Sequence, residues 1–328
     1  MPSQLAEEKS LSVKRSVEAE FSQEGLHEVS PPAAVQQIRA RLAHYKPQLS
    51  IESPANGEVL MKGLNEKWPL VLNVKDWPLV DDPKFGLGAH LVIEVDDFPP
   101  LRIAKSQEGK IVLPMDGLTP GSHRLVAYLA YPWGEALKEP ETSLDWRIHF
   151  FKKLEGTQPG TGETWLTIPS PSDRNFHEPL LIDSLIWNAP LQGLKEGDDK
   201  WRLRVIVNGE SFLMDSQEPI WIQGLLPNES IVQFELLDRL GAPINPIFTN
   251  KLRVMSMSSA EKPIWIGPGL HENQLARLLG ETEEPVSIAL SKDQLLFSSQ
   301  PIEKSFAQEK DDPSIAKYEL VFPRKLQQ

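Results

Sequence analysis

Three histidines, His90, His123 and His149, stand in the first half of the chain, and imidazole is the commonest metal ligand among side chains. A metal would need their ring nitrogens to converge. None has a partner at H-x-H or H-x3-H spacing, and each falls in a different strand-like run. They read as strand-end or hydrogen-bonded histidines. Asp81-Asp82 and Asp96-Asp97 are adjacent carboxylates, whereas a calcium loop alternates oxygen ligands around a glycine turn. They fit solvated turns better. A glycosidase pair would need a cleft, which residue order does not show. No G-x-S-x-G nucleophile turn occurs. "GTGETW" at 160–165 lacks the Lys and second Gly of a phosphate loop, and "FGLG" at 85–88 is a weaker glycine loop still. With no cysteine, thiol chemistry, disulfides and Cys-ligated metals drop out. The expectation is a non-enzyme with no catalytic residue, no metal and no cofactor.

The elements that carry these residues are strands. The 328 residues include 29 prolines, a density that disfavours long helices and suits short strands with tight turns. "PLVLNVKD", "AHLVIEVDD", "KIVLPM", "HRLVAYLAY" and "DWRIHFF" alternate with period two between Pro, Gly and Asp breaks. The pattern resumes in "PLLIDSLIW", "WRLRVIVNG", "EPIWIQG", "SIVQFELLD" and "NKLRVMSM". We expect a disordered tail over 1–29 and a short amphipathic helix over 30–48. Ser30 would cap that helix, with Val35, Ile38, Leu42 and Tyr45 on one face. A first sandwich then covers 49–151, a Gly/Pro/Ser/Thr-rich linker 152–178 and a second sandwich 179–257. Residues 258–328 hold one short helix, "LHENQLARLLG", marginal strands "VSIAL" and "QLLFSS", and a flexible tail with "YELVF".

The two blocks repeat. At a gapless offset, Gly117, Leu118, Pro120, Leu129 and Gly134 land on Gly224, Leu225, Pro227, Leu236 and Gly241. Leu125, Ala127 and Leu129 fall on Val232, Phe234 and Leu236 as an inward face, with Gln233 and Glu235 on the solvent face. Upstream, "LVIEVDD" falls near "LRVIVNG", and Trp77 near Trp187, at separate offsets. One module is written twice.

"GLTPGSHRLVAYL" resembles the turn-and-strand piece of bacterial Ig-like and fibronectin-III-like modules. The likeness covers residues 49–151 and, more weakly, 179–257. It implies an all-β fold of two tandem antiparallel sandwiches, with a short N-terminal helix and flexible termini. Such modules usually place a Tyr after this turn, hydrogen-bonded back to the chain. Here His123 and Ser230 stand near that position, which puts the corner in doubt. "FGLGAHLVIEVDD" also resembles small bacterial domains with a Gly-His strand, though Val92 stands where some carry a second His. The whole chain resembles conserved cyanobacterial proteins, a likeness that brings no activity with it.

A net charge of −12 argues against nucleic acid, whose phosphates need Lys and Arg, and against adsorption to anionic lipid. The start "MPSQLAEEKSLSVKRS" lacks a signal-type apolar core, and no run reaches the length of a membrane span. A soluble cytoplasmic protein is expected. In an Ig-like sandwich the B–C and F–G loops share one end. Here they are residues 77–89 and 132–142, and they carry Trp77, Leu79, Phe85, Leu87, Trp133 and Leu137. These six either close over the molecule's own core or form an exposed patch for a protein partner. The function expected is a scaffold or assembly protein binding through that patch. The alternatives are a carbohydrate-binding protein using exposed Trp, and an assembly partner of a photosynthetic membrane complex, associated with it peripherally.

Overall fold

A sheet that is apolar on one face must stack on another. The computed structural model of the protein shows that stacking twice, and it describes residues 25–154, 156–160, 162–189 and 200–281. In the first sandwich a sheet of Gln48–Ser53, Trp68–Lys75 and Lys110–Met115 faces one of five strands. Their order is Glu58–Leu60, Ser143–Phe150, Gly121–Ala130, His90–Val95 and Leu101–Ile103. The second repeats it strand for strand. Trp165–Ser170, Leu180–Trp187 and Ile220–Gln223 face Asn175–Phe176, Lys251–Met257, Ser230–Asp238, Trp201–Val207 and Glu210–Met214. In both, the short second strand pairs parallel to the last strand, and the other ladders are antiparallel. The fold is all-β: two tandem Ig-like, fibronectin-III-like sandwiches.

The repeat holds at the level of single hydrogen bonds. Leu125 lies opposite Val95 and Trp146, and Val232 lies opposite Val207 and Arg253. Leaving the strand, Tyr131 N donates to Glu135 O and Leu137 N to Leu129 O. In the second copy Asp238 N donates to Ala242 O and Ile244 N to Leu236 O. Gly134 and Gly241 turn those corners at φ 86° and 84°, a conformation that favours glycine. Gly117 and Gly224 are glycines for a second reason. A Cβ would stand 2.1 Å from Gly63 O in one case and 2.4 Å from Gly25 O in the other. "LVIEVDD" and "LRVIVNG" are equivalent strands, but Trp77 and Trp187 are not. Trp187 opposes Trp165 as Lys75 opposes Gln48.

Three expectations need correction. The stretch read as a linker contains Trp165–Ser170, the buried first strand of the second sandwich, and Asn175–Phe176. Gly, Pro and Thr run up to that strand and hide it. In the tail expected to be disordered, His27–Val29 forms an edge strand paired with Ile220–Gln223, while residues 1–24 lie outside the described residues. The helix runs Ala33–Leu42 and is entered at Pro32 with no side-chain cap, so Ser30 does not cap it. "VSIAL", "QLLFSS" and "YELVF" also lie outside the described residues. Among those described, no helix is long and apolar enough to cross a membrane.

The sandwiches are joined face to face. Val92, Val126, Tyr128 and Ala130 on the outer face of the first five-stranded sheet bury against Trp165 and Leu185. Each large apolar side chain removed from water there contributes about 1.5–3 kcal/mol. A polar pin accompanies them. Asp183, fully buried, accepts from Ala136 N at 2.8 Å and Lys138 Nζ at 2.5 Å. A buried carboxylate is tolerable only when so satisfied.

Candidate functional site

Five of the six loop residues, Trp77, Leu79, Phe85, Trp133 and Leu137, come together, but not at a free surface, while Leu87 lies in a short hairpin opposite Asp81. Trp77, Trp133 and Leu137 are buried in the first core, while Leu79, Phe85 and Leu87 are half-buried. Two helices of the same chain meet this end of the sandwich. Val35, Ile38 and Leu42 of Ala33–Leu42 join the same core, as do Leu275 and Leu278 of the helix Glu272–Leu278. Tyr131 stacks on Trp133 at 4.9 Å, and Trp77 meets Tyr131 and Tyr45 edge-on. Arg39 reaches over Trp133 and pairs with Glu135, which also accepts from Trp133 Nε1 at 2.6 Å. Burial raises the Glu135 carboxyl above its usual range, against the pull of Arg39. On the B–C loop, Arg277 lies 5.1 Å over the Phe85 ring and binds Asp82 at 2.9 Å. Of Asp81-Asp82, therefore, the second is an intramolecular anchor. The expected exposed patch is instead a socket filled by residues from far along the chain, which loop composition does not reveal.

The histidines separate into local roles. His90, buried, donates from Nδ1 to Gly88 O at 2.9 Å, and burial drops its pKa to about 4. His149 Nδ1 lies 2.8 Å from Ser122 Oγ. His123 donates from Nδ1 to Asp96 Oδ2 and from Nε2 to Thr119 O, both at 2.7 Å. Burial opposes its charge, but the Asp96 and Thr119 hydrogen bonds outweigh that and raise its pKa. The second copy makes the same corner from neutral groups. Ser230 Oγ donates to Leu226 O at 3.0 Å and accepts from Asn208 Nδ2 at 3.1 Å. Asp96 and Asn208 both hold left-handed backbone, and both accept the amide of the opposite strand, from Arg124 and Ile231. The link to the upstream backbone usually made by Tyr is thus present twice, once from His123 to Thr119 O and once from Ser230 to Leu226 O. Among the described residues no group of His, Asp and Glu is gathered to hold a metal.

The open surface lies at the far side of the molecule. On the outer face of the second five-stranded sheet, Ile231, Leu252 and Val254 are 41%, 54% and 49% exposed. Ile231 lies directly opposite Val254, and Leu252 opposite Gln233. Leu226, 55% exposed, sits in the turn entering the strand. An Arg204–Glu235 ion pair borders the patch. In the first copy the equivalent positions are Arg124, Asp145 and Arg147. Three aliphatics on a solvent face would be accidental singly; contiguous, they form a surface of the kind that partners cover.

No family model matches the chain, and no curated protein matches it. Solved structures give distant likenesses. An endo-β-1,4-mannanase from Thermotoga petrophila is 12% identical over 33% of this chain, with a TM-score of 0.24; the chain spans only 20% of that protein. The fibronectin(III)-like modules of Clostridium thermocellum CbhA are 12% identical, covering 65% of this chain and 97% of theirs, with a TM-score of 0.22. The central fibronectin-III array of RIM-binding protein is 10% identical, covering 66% and 71%, with a TM-score of 0.21. The fold assignment rests on the strand order and register above, not on these overlaps.

Proposed function

We propose that the chain is a non-enzymatic cytoplasmic binding and assembly protein, a block of two Ig-like sandwiches that docks a partner protein on the outer face of its second five-stranded sheet. One observation carries this reading. The same face of the first copy is buried under the second sandwich, whereas that of the second copy is open and presents Ile231, Leu252 and Val254. The five clustered loop residues then serve to fix the block rather than to meet the partner. The carbohydrate alternative needs exposed Trp. Of the nine Trp, seven are buried and Trp187 and Trp265 are half-buried, which supports the protein-binding reading over it. The test is the pair Leu252→Asp with Val254→Asp. A partner retained by the wild type and lost by the variant, at equal melting temperature, supports the docking face. Equal retention by both overturns it.

A further inference from the structure

A cleft of about 520 Å³ separates the turn Asp96–Pro100 of the first sandwich from the first and last strands of the second. In a molecule of net charge −12, five cations line it: Arg102, Arg124, Arg174, Lys251 and Arg253. Comparison of the copies shows that these are departures from the shared plan. Lys251 lies opposite Phe234 and Arg253 opposite Val232; in the first copy Leu144 and Trp146 occupy those places, opposite Ala127 and Leu125. Trp146 is a core residue. Two successive inward positions have therefore exchanged core apolar groups for cations, a change that works against packing and turns this edge of the second core into a polar wall. Across the cleft, Arg124 replaces the aliphatic found at Ile231. It is 6% exposed, its guanidinium lies 4.3 Å over the Trp165 ring, and its Nε has no hydrogen-bond partner.

Four carboxylates, Glu94, Asp96, Asp97 and Asp173, share the cleft with these cations. Arg102 is paired with Asp173 at 2.8 Å and Lys251 with Asp97 at 3.2 Å. Among the described residues, Arg124, Arg174 and Arg253 make no ion pair. Asp96 is held by His123 and by the Arg124 amide. Glu94 accepts from the Tyr128 hydroxyl at 3.1 Å, and burial raises its carboxyl toward the neutral form. What remains is a desolvated guanidinium, Arg124, facing the exposed Arg174 and an Arg253 that donates only to the backbone carbonyls of Pro171 at 3.3 Å and Leu252 at 3.2 Å, across a gap wide enough for a small molecule or an acidic side chain.

We propose that this cleft binds an oxyanion, a carboxylate or phosphate group, between Arg124 and Arg253. The probes are inorganic phosphate and citrate, titrated calorimetrically into the full chain at low ionic strength. We expect binding of at least one, weakened by salt. Phosphate alone assigns a phosphoryl ligand, citrate alone a carboxylate, and both the shared chemistry. Lys251→Leu with Arg253→Gln, which returns one position to the first copy's residue, folds and lowers affinity about tenfold or more, as loss of a charge-assisted bond does. Arg124→Gln does the same. Arg253→Gln alone touches a half-buried side chain and keeps the test decisive if a deeper change fails to fold. Arg204→Gln, on the open face, leaves affinity unchanged. Failure of both probes to bind, or undiminished binding by Arg253→Gln, overturns the site.

Discussion

The strand Gly121–Ala130 is buried at every residue, while its counterpart Ser230–Asp238 alternates between buried and exposed positions. Their inward residues occupy the same register, so the difference lies wholly on the second face. There the first copy carries Val126, Tyr128 and Ala130, and the second carries Gln233 and Glu235. A strand covered on both sides reads as a continuous apolar run, and one covered on a single side alternates. In a duplicated module, the face that stops alternating is the face that meets its sibling. The copies are one fold under two solvation conditions.

The core gives the sharpest way to break this equivalence. Phe234, fully buried, corresponds to Ala127, and Arg253 corresponds to Trp146. Phe234→Ala should lower unfolding free energy by about 3–5 kcal/mol in denaturant titration. A loss within the range of a surface change would show the register to be wrong. The socket should follow. Leu278→Ala, at a fully buried position, should cost about 2–5 kcal/mol. Amide exchange should speed up over the loop at 77–89 and not in Ser230–Asp238, whose inward residues belong to the other core. Equal acceleration in both would dissolve the contrast. Ala127→Phe should overpack the first core by about 1–3 kcal/mol. Trp146→Ala in the same chain should relieve part of that, a coupling that a double-mutant cycle reads directly.

The smallest expected effect concerns the two corners. With both ring nitrogens of His123 facing acceptors, the folded chain favours the imidazolium, and its pKa lies above the unfolded value. Its contribution is complete below about pH 6.5 and is lost as pH rises through the raised folded value. Asn208 and Ser230 do not titrate. Replacing His123 by Ser with Asp96 by Asn should therefore flatten the decline of melting temperature as pH rises above about 6.5. An unchanged slope would assign that decline to other groups.

The hairpins were legible because turn chemistry and inward alternation survive at one gapless spacing. Gly134, Gly241, Leu129 and Leu236 are enough to set it. Trp165–Ser170 was not, since a six-residue strand with Pro169 inside it, preceded by Gly and Thr, has the composition of a linker. The loop residues were legible as a cluster but not as a covered one. Their covers, Ala33–Leu42 and Glu272–Leu278, are brought to them by tertiary structure alone. The cations at 251 and 253 were visible all along as a mismatch with Leu144 and Trp146. What sequence could not supply was the neighbouring sandwich that makes them face a cleft.

His27–Val29 pairs with Gln223, Ile222 and Trp221, and the helix that follows closes against Leu275 and Leu278. During synthesis this segment leaves the ribosome long before any of those residues exist. The first sandwich has all its own strands by Phe150 and can form first, with Val35, Ile38 and Leu42 packing on its core while His27–Val29 waits for its partner strand. Contacts so distant in sequence close slowly, and exposed apolar surface invites wrong partners in the interval. The socket thus sets the timing of assembly as well as its strength: the edge strand stays unpaired until Gln223 has been made, and the last wall of the socket is missing until Leu278 has been made.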